Sequence, residues 1–417
     1  MPRPSQDGLE WEEKTFGIEP RWTREPAIKA IENVCRQRLI IPPDDSCEIS
    51  FHASGAFNKL YTVESSEQTL IMRVSLPVCP RDKTRGEVST LQWVSNHTQV
   101  PVPKVISFDD SSDNEIGFEW SLMEFVRGTS AYTRWRTLSM EHKVAITRQL
   151  AEFQAEFLGC RFEAVGTLQE GGSTQESGIF RPGQLVSHGF FMGDRLHYNI
   201  PRGPFYSSHD WMSAQLNIVL LEQTAKLEKA EDEDDQEDAE DCLSTVRKLL
   251  DLLPTVFPPG GGEPASLYHN DLHLNNIFID ENGKITSVLD WECVSAVPLW
   301  LAITAPKFLE ETPREEEPQR DEYADESDAE REDPHSLDNE GKNDLYWIHR
   351  MEYDATQLQK VYKARLEELT PELPLKESFT KVEFFRAVEQ CDGIWVKKAG
   401  RWADRTKQGE VLQFVDA

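Results

Sequence analysis

"YHNDLHLNNIFID", residues 268–280, and "KITSVLDWE", residues 284–292, decide how this chain is read. The first fits H-x-D-x-x-x-x-N with His269, Asp271 and Asn276, adds His273, and runs into a β-like segment; the second is another β-like segment ending at Asp290. Joined through "ENGK", the runs "NIFID" and "KITSVLD" predict a hairpin whose outer ends are neighbours, so Asn276 and Asp290 come to one place. A carboxylate, an amide and a second carboxylate gathered this way form a set of hard oxygen donors suited to Mg²⁺. Phosphoryl transfer from ATP asks for that set: one carboxylate to orient an acceptor hydroxyl, and oxygen ligands to hold metal against phosphates.

The rest of the chain bounds this reading. At 417 residues it exceeds one small core and predicts two packed units or one two-lobed domain. Its 38% hydrophobic and 28% charged content is that of a globular protein, and no apolar run spans a bilayer. The N-terminus has neither an apolar signal core nor an Arg-rich, acid-poor presequence, so the expectation is a cytoplasmic protein. Seven scattered cysteines without a CxxC read as reduced, mostly buried thiols.

The net charge of −30 is concentrated. Residues 228–241 hold ten acids and one lysine, net −9, and residues 310–344 hold sixteen acids and four bases, net −12. The remainder carries only −9, which leaves room for phosphate-binding pockets but argues against a nucleic-acid partner. The first acidic run is expected to continue the helix before it. The second, poor in large apolar residues, is expected to be a loosely ordered insertion. Either run is a docking tail for a protein partner or a solvated segment.

Residues 48–76 read as a three-stranded meander, with "ASGAFN" and "SSEQ" as its turns. "RDKTRGEVSTLQWVSNHT" follows as a helix stopped by "VPVPKV", and "KVISFDD" and "EWSLMEFV" as two more strands. Beyond Gly128 the pattern becomes mainly helical.

With these elements in order, the sequence resembles the aminoglycoside phosphotransferase and choline kinase group. That resemblance implies an α+β, two-lobed protein-kinase-like fold: an N-terminal extension (1–47), a small antiparallel-sheet lobe (48–127) and a larger helical lobe (128–417) carrying the catalytic loop at 268–292. It implies ATP and Mg²⁺ as cofactors, Asp271 as catalytic base, Asn276 and Asp290 as metal ligands, and His269 as a brace of the loop. Ser54 and Gly55 fall in the phosphate-covering turn, Arg73 on the third strand, Glu87 on the following helix, and Glu124 to Val126 at the interlobe hinge that meets adenine. His273 is either a donor to the transferred phosphoryl group or a solvent-facing loop histidine.

The departures are specific. The third strand offers Arg73 where lysine is expected, and a planar guanidinium is no substitute for a point charge. Arg73 is expected to pair bidentately with Glu87 and reach a phosphate, with Lys59 a second choice for the phosphate-binding cation. The turn has one glycine, which predicts few N–H donors for phosphate. Glu292 reads as an acceptor contact or a cap, the cap being preferred. "DWE" replaces DFG, and no APE-like segment marks an activation loop, which disfavours a protein kinase. Trp300, Trp347, Tyr353 and Trp395 are either an aromatic box for a cationic acceptor or core. The expected activity is phosphotransfer to a small-molecule hydroxyl or amine acceptor; the alternative is a nucleotide-binding pseudokinase or scaffold.

Overall fold

The computed structural model describes residues 6–14, 17–171, 178–327, 331, 337–373 and 378–416. Its N-terminal part is built on a five-stranded antiparallel sheet, β3 (Cys47–Ser54), β4 (Asn58–Ser65), β5 (Thr69–Ser75), β6 (Val105–Asp109) and β7 (Glu119–Glu124), in the order β3-β4-β5-β7-β6. The register places Leu60 opposite Arg73 and Arg73 opposite Ser121, so these three share one face. Their neighbours Lys59, Val74 and Trp120 share the other, because successive strand residues point to opposite sides.

That other face is covered by described elements that precede β3. A hairpin, β1 (Leu9–Lys14) with β2 (Gly17–Trp22), and helix α1 (Ile28–Leu39) pack on it. Ile31, Val34 and Cys35 of α1 join Tyr61, Met72, Val74, Trp120 and Leu122 in one buried cluster. Trp22 closes on Phe118 with ring centroids 5.0 Å apart.

Helix α2 (Asp82–His97) links the lobes: its first turns carry Lys83 and Glu87, while Trp93 and Val94 belong to the second, larger core. Gly86 lets α2 press against the C-terminal lobe, where a Cβ would meet Thr167 Cγ2 at 2.4 Å. Past the hinge come β8 (Thr129–Ser130), α3 (Ala131–Trp135), α4 (Met140–Gly159), a short hairpin of β9 (Leu168–Glu170) and β10 (Phe180–Pro182), and α5 (His188–Phe191). Helices α6 (Ser208–Lys229) and α7 (Glu233–Val256) lead to two strand pairs, β11 (Ala265–Tyr268) with β14 (Ser295–Pro298) and β12 (Ile277–Ile279) with β13 (Ile285–Val288). Helix α8 (Leu299–Ala302) and the long helices α9 (Asp344–Leu369), α10 (Phe379–Glu389) and α11 (Val396–Lys407) complete the chain. The α+β, two-lobed class expected from the sequence is the class found.

Both acidic runs depart from expectation. Helix α6 enters the first by only two residues: it stops at Lys229, and Asp232 caps a new helix by accepting from the Asp235 N–H at 2.9 Å. Glu233, Asp234 and Asp235 then fill the first turn of α7, where carboxylates favour the positive end of the helix dipole. Of the second run, residues 328–330 and 332–336 lie outside the described residues. The described remainder is pinned along α9, with Arg314 on Glu352 at 2.9 Å, Lys360 on Glu315 at 2.6 Å and the Tyr323 hydroxyl on His349 at 2.7 Å. The partners that order it, Glu352, His349 and Lys360, sit on α9, outside the segment.

Candidate functional site

The hairpin β12–β13 assembles the site. Ile277 pairs with Val288, and the Leu289 N–H donates to the Asn276 carbonyl at 2.8 Å, so Asn276 and Asp290 are neighbours at the open end. Asn276 Nδ2 donates to the Asp271 carbonyl at 2.9 Å, which fixes the loop, and Oδ1 accepts no hydrogen bond among the described residues. Asp290 is held at φ +62°, a left-handed conformation uncommon for a side-chain-bearing residue, of the kind retained where the surroundings impose it. His269 is that surrounding: buried, it donates from Nε2 to the Leu289 carbonyl at 2.9 Å and sets its ring edge against Trp291. Burial holds its basicity below the usual histidine range, so it is a neutral brace.

Asp271 is half exposed and bonded through Oδ1 to His273 Nε2 at 3.0 Å, and His273 is open to solvent to the same degree.

From the other lobe comes Arg73. Its guanidinium lies 3.0 Å from Asp290 Oδ1 and 2.9 Å from Glu292 Oε2, with Nε 3.4 Å from Glu87 Oε2. The expected bidentate fork on Glu87 is not formed. Arg73 instead spreads over three carboxylates, with two of its contacts on the D-W-E segment. Lys59 is placed away from the site: it lies on the opposite face of the sheet, ion-paired with Glu25 and over the Trp22 ring at 4.8 Å.

The phosphate-covering turn is exposed at Ser54 and Gly55, and a Cβ at Gly55 would meet nothing within 4 Å. The Gly55 N–H is already bonded to the Asn58 carbonyl at 2.9 Å, which takes one main-chain donor of the turn out of use. At the hinge, the Glu124 N–H is engaged by the Lys104 carbonyl at 2.9 Å, while the Val126 main chain makes no hydrogen bond among the described residues.

Three groups escaped sequence reasoning. Glu292, read above as a cap, is a buried anchor that meets Arg73, Lys83 Nζ at 2.6 Å and Asn58 Nδ2 at 2.8 Å. Lys83 is 2% exposed; its spacing of one helical turn from Glu87 was the available signal. Asn58, also buried, closes the network by accepting from Ser75 Oγ at 2.8 Å and Lys83 Nζ at 3.0 Å.

Beside the catalytic loop opens a cavity of about 400 Å³, lined by His188, Asn270, Thr304, Glu389 and Trp395 among others. Of the four aromatic residues singled out, Trp395 alone lines it. Trp300 and Trp347 are core, their indole N–H groups bonded to Ser208 Oγ at 2.7 Å and the Asn339 carbonyl at 2.9 Å, and Tyr353 lies on α9 under Arg350.

Asn276 Oδ1 and the second Asp290 oxygen fit a magnesium ion by donor chemistry. Among the described residues no group of three or more His, Cys, Asp or Glu forms a closed metal cage. Mg²⁺ is commonly bound by one or two side chains together with substrate phosphates and water, which is the arrangement these two residues allow.

The model of the phosphotransferase enzyme family matches residues 48–301, more than half of the chain. The chain belongs to the phosphotransferase enzyme family. Within this family region lie the sheet, α2, the hinge and the whole catalytic loop. Among curated relatives, a subtelomeric hrmA-associated cluster protein of Aspergillus fumigatus is 24% identical over 310 residues, covering 63% of this chain and 61% of that protein. The chain thus spans about three fifths of that relative's length. The mitochondrial "altered inheritance of mitochondria protein 9" of Meyerozyma guilliermondii is 23% identical over 127 residues, 29% of this chain and 21% of that protein. A solved streptomycin–ATP–APH(2")-IIa complex aligns over 94% of this chain and 98% of its own, with 12% identity and a TM-score of 0.45. No helix among the described residues is long and apolar enough to cross a membrane.

Proposed function

We propose that this phosphotransferase-family chain transfers the terminal phosphoryl group of ATP, with Mg²⁺, to a hydroxyl or amine of a small molecule. One observation carries the reading: Asp271, Asn276, Asp290 and Arg73, drawn from both lobes, are linked into one cluster by contacts of 2.8–3.0 Å, the step from Asn276 to Asp290 running through the Leu289 N–H. Asp271 orients the acceptor and takes the side of its proton; its bond to His273 fixes the carboxylate's direction. Asn276 and Asp290 hold the metal, which when bound supplies charge neutralisation for the phosphates. Arg73 lies within reach of the phosphates, Ser54 and Gly55 cover them, and the main chain of Glu124 to Val126 meets the base. The cavity beside Asn270 is where the acceptor sits, so catalysis is mainly positioning and electrostatics.

A second reading, a nucleotide-binding protein without phosphotransfer, is favoured by one feature: Arg73 rests on Asp290 itself. Labelled ATP offered with a broad set of hydroxyl and amine metabolites separates the two. The first reading expects transfer to at least one acceptor and its loss in Asp271→Asn with nucleotide binding retained. Nucleotide binding with no transfer to any acceptor supports the second.

A further inference from the structure

A lysine that is 2% exposed is rare and calls for a reason, because stripping water from an ammonium costs several kcal/mol unless its partners are well made. Lys83 has such partners. Its Nζ meets Glu292 Oε2 at 2.6 Å and Asn58 Oδ1 at 3.0 Å; Glu292 in turn receives Arg73 at 2.9 Å and Asn58 Nδ2 at 2.8 Å. The four residues come from four separate elements: the first turn of α2, the segment after Asp290, β5 and the start of β4. They therefore tie the helix, the third strand and the trailing end of the phosphate-covering turn to the metal-binding segment of the other lobe.

Charge explains the arrangement further. Arg73 faces Glu87, Asp290 and Glu292 together, one cation among three carboxylates. Without Lys83, Glu292 and Asp290 would both depend on Arg73, and Arg73 would be held between them. With Lys83 and Asn58 meeting the same Glu292 Oε2 that Arg73 touches, Arg73 needs Glu292 only as an anchor, and its contact with Asp290 becomes the exchangeable one. Phe57, a buried residue of the turn itself, has Lys83 Nζ 5.9 Å from its ring centroid, so the same lysine also contacts the turn.

We propose that Lys83 is a positioning residue of the nucleotide site, resting on the phosphotransferase reading above. It clamps Glu292 onto Asn58 and Arg73, so that Arg73 can leave Asp290 for a phosphate when a divalent cation occupies Asp290. The task of one strand lysine is thereby divided between two cations, Arg73 toward the ligand and Lys83 toward the scaffold.

The test compares wild type, Lys83→Arg, Lys83→Met and the double variant Lys83→Met/Glu292→Gln, the last removing both buried charges so that neither is left unpaired. MgADP affinity is measured by calorimetry well below each protein's melting temperature, beside the melting temperature without ligand. The clamp predicts that the double variant folds yet binds MgADP at least tenfold more weakly, and that Lys83→Arg stays within threefold of wild type. A purely structural lysine would shift the melting temperature and leave the affinity of the folded protein alone. MgADP affinity within twofold of wild type in the double variant overturns the clamp while leaving the phosphotransferase reading standing. Absence of MgADP binding in wild type overturns both.

Discussion

Replacing Arg73 by lysine restores the residue expected on the third strand, and the structure predicts that this harms the protein. The guanidinium reaches Asp290 at 3.0 Å and Glu292 at 2.9 Å while its Nε faces Glu87 at 3.4 Å. An ammonium is a compact donor on a differently shaped stem, so it serves one or two of these carboxylates and leaves the third unpaired in a buried place. Losing one charge-assisted hydrogen bond costs about 1.5–3 kcal/mol. Lys83 cannot take the place of Arg73, because it is already committed to Glu292 and Asn58. Arg73→Lys is therefore expected to lose about 2 kcal/mol of stability in urea unfolding at pH 7 and to bind MgADP several-fold more weakly. Arg73→Ala, which leaves three carboxylates around Lys83 alone, is expected to lose about 3–5 kcal/mol. A lysine variant as stable as wild type with tighter MgADP binding would refute the reasoning and mark Arg73 as a decayed lysine.

Two further outcomes follow from the carboxyls. Burial pushes Glu119 up to about 7 from its ordinary 4.5, against the lowering influence of the Arg81 N–H that it accepts. Between those values the folded state holds a proton that the unfolded state has released, so stability falls as pH rises from about 4.5 to about 7, by roughly 3 kcal/mol. Urea unfolding across pH 5–8 should show this slope flattened in Glu119→Gln; an unchanged slope assigns it to another group. The Glu389 carboxyl makes no hydrogen bond among the described residues, and the residue lines the cavity beside the catalytic loop. Once an acceptor is found, Glu389→Ala should raise its KM at least fivefold with MgADP affinity within twofold; an unchanged KM would place the acceptor elsewhere.

What was legible in the sequence follows from distance along the chain. Asp271, Asn276 and Asp290 lie within twenty residues of one another, and a hairpin is a local structure, so spacing sufficed to bring them together. The meander from β3 to β5 was readable for the same reason. Lys59 was not: whether a strand residue faces cleft or back depends on its register with the next strand, and one position of offset reverses the answer. The Lys83–Glu292 pair was hidden because its members are 209 positions apart and acquire meaning only when α2 packs across the lobes. The second acidic run looked unstructured because the residues that order it, Glu352 and Lys360, belong to α9, and local composition is blind to partners supplied from elsewhere.

The central claim is that Asn276 and Asp290, gathered with Arg73, form a magnesium–nucleotide site. Its most direct test is the thermal shift produced by ATP with Mg²⁺ and by ATP with chelator, in wild type and Asp290→Ala. Ligand in hundredfold excess over its dissociation constant stabilises by about 2.7 kcal/mol, a shift easily resolved. The account predicts a magnesium-dependent shift in wild type that Asp290→Ala abolishes. A shift that is the same without magnesium, or that survives Asp290→Ala, contradicts it.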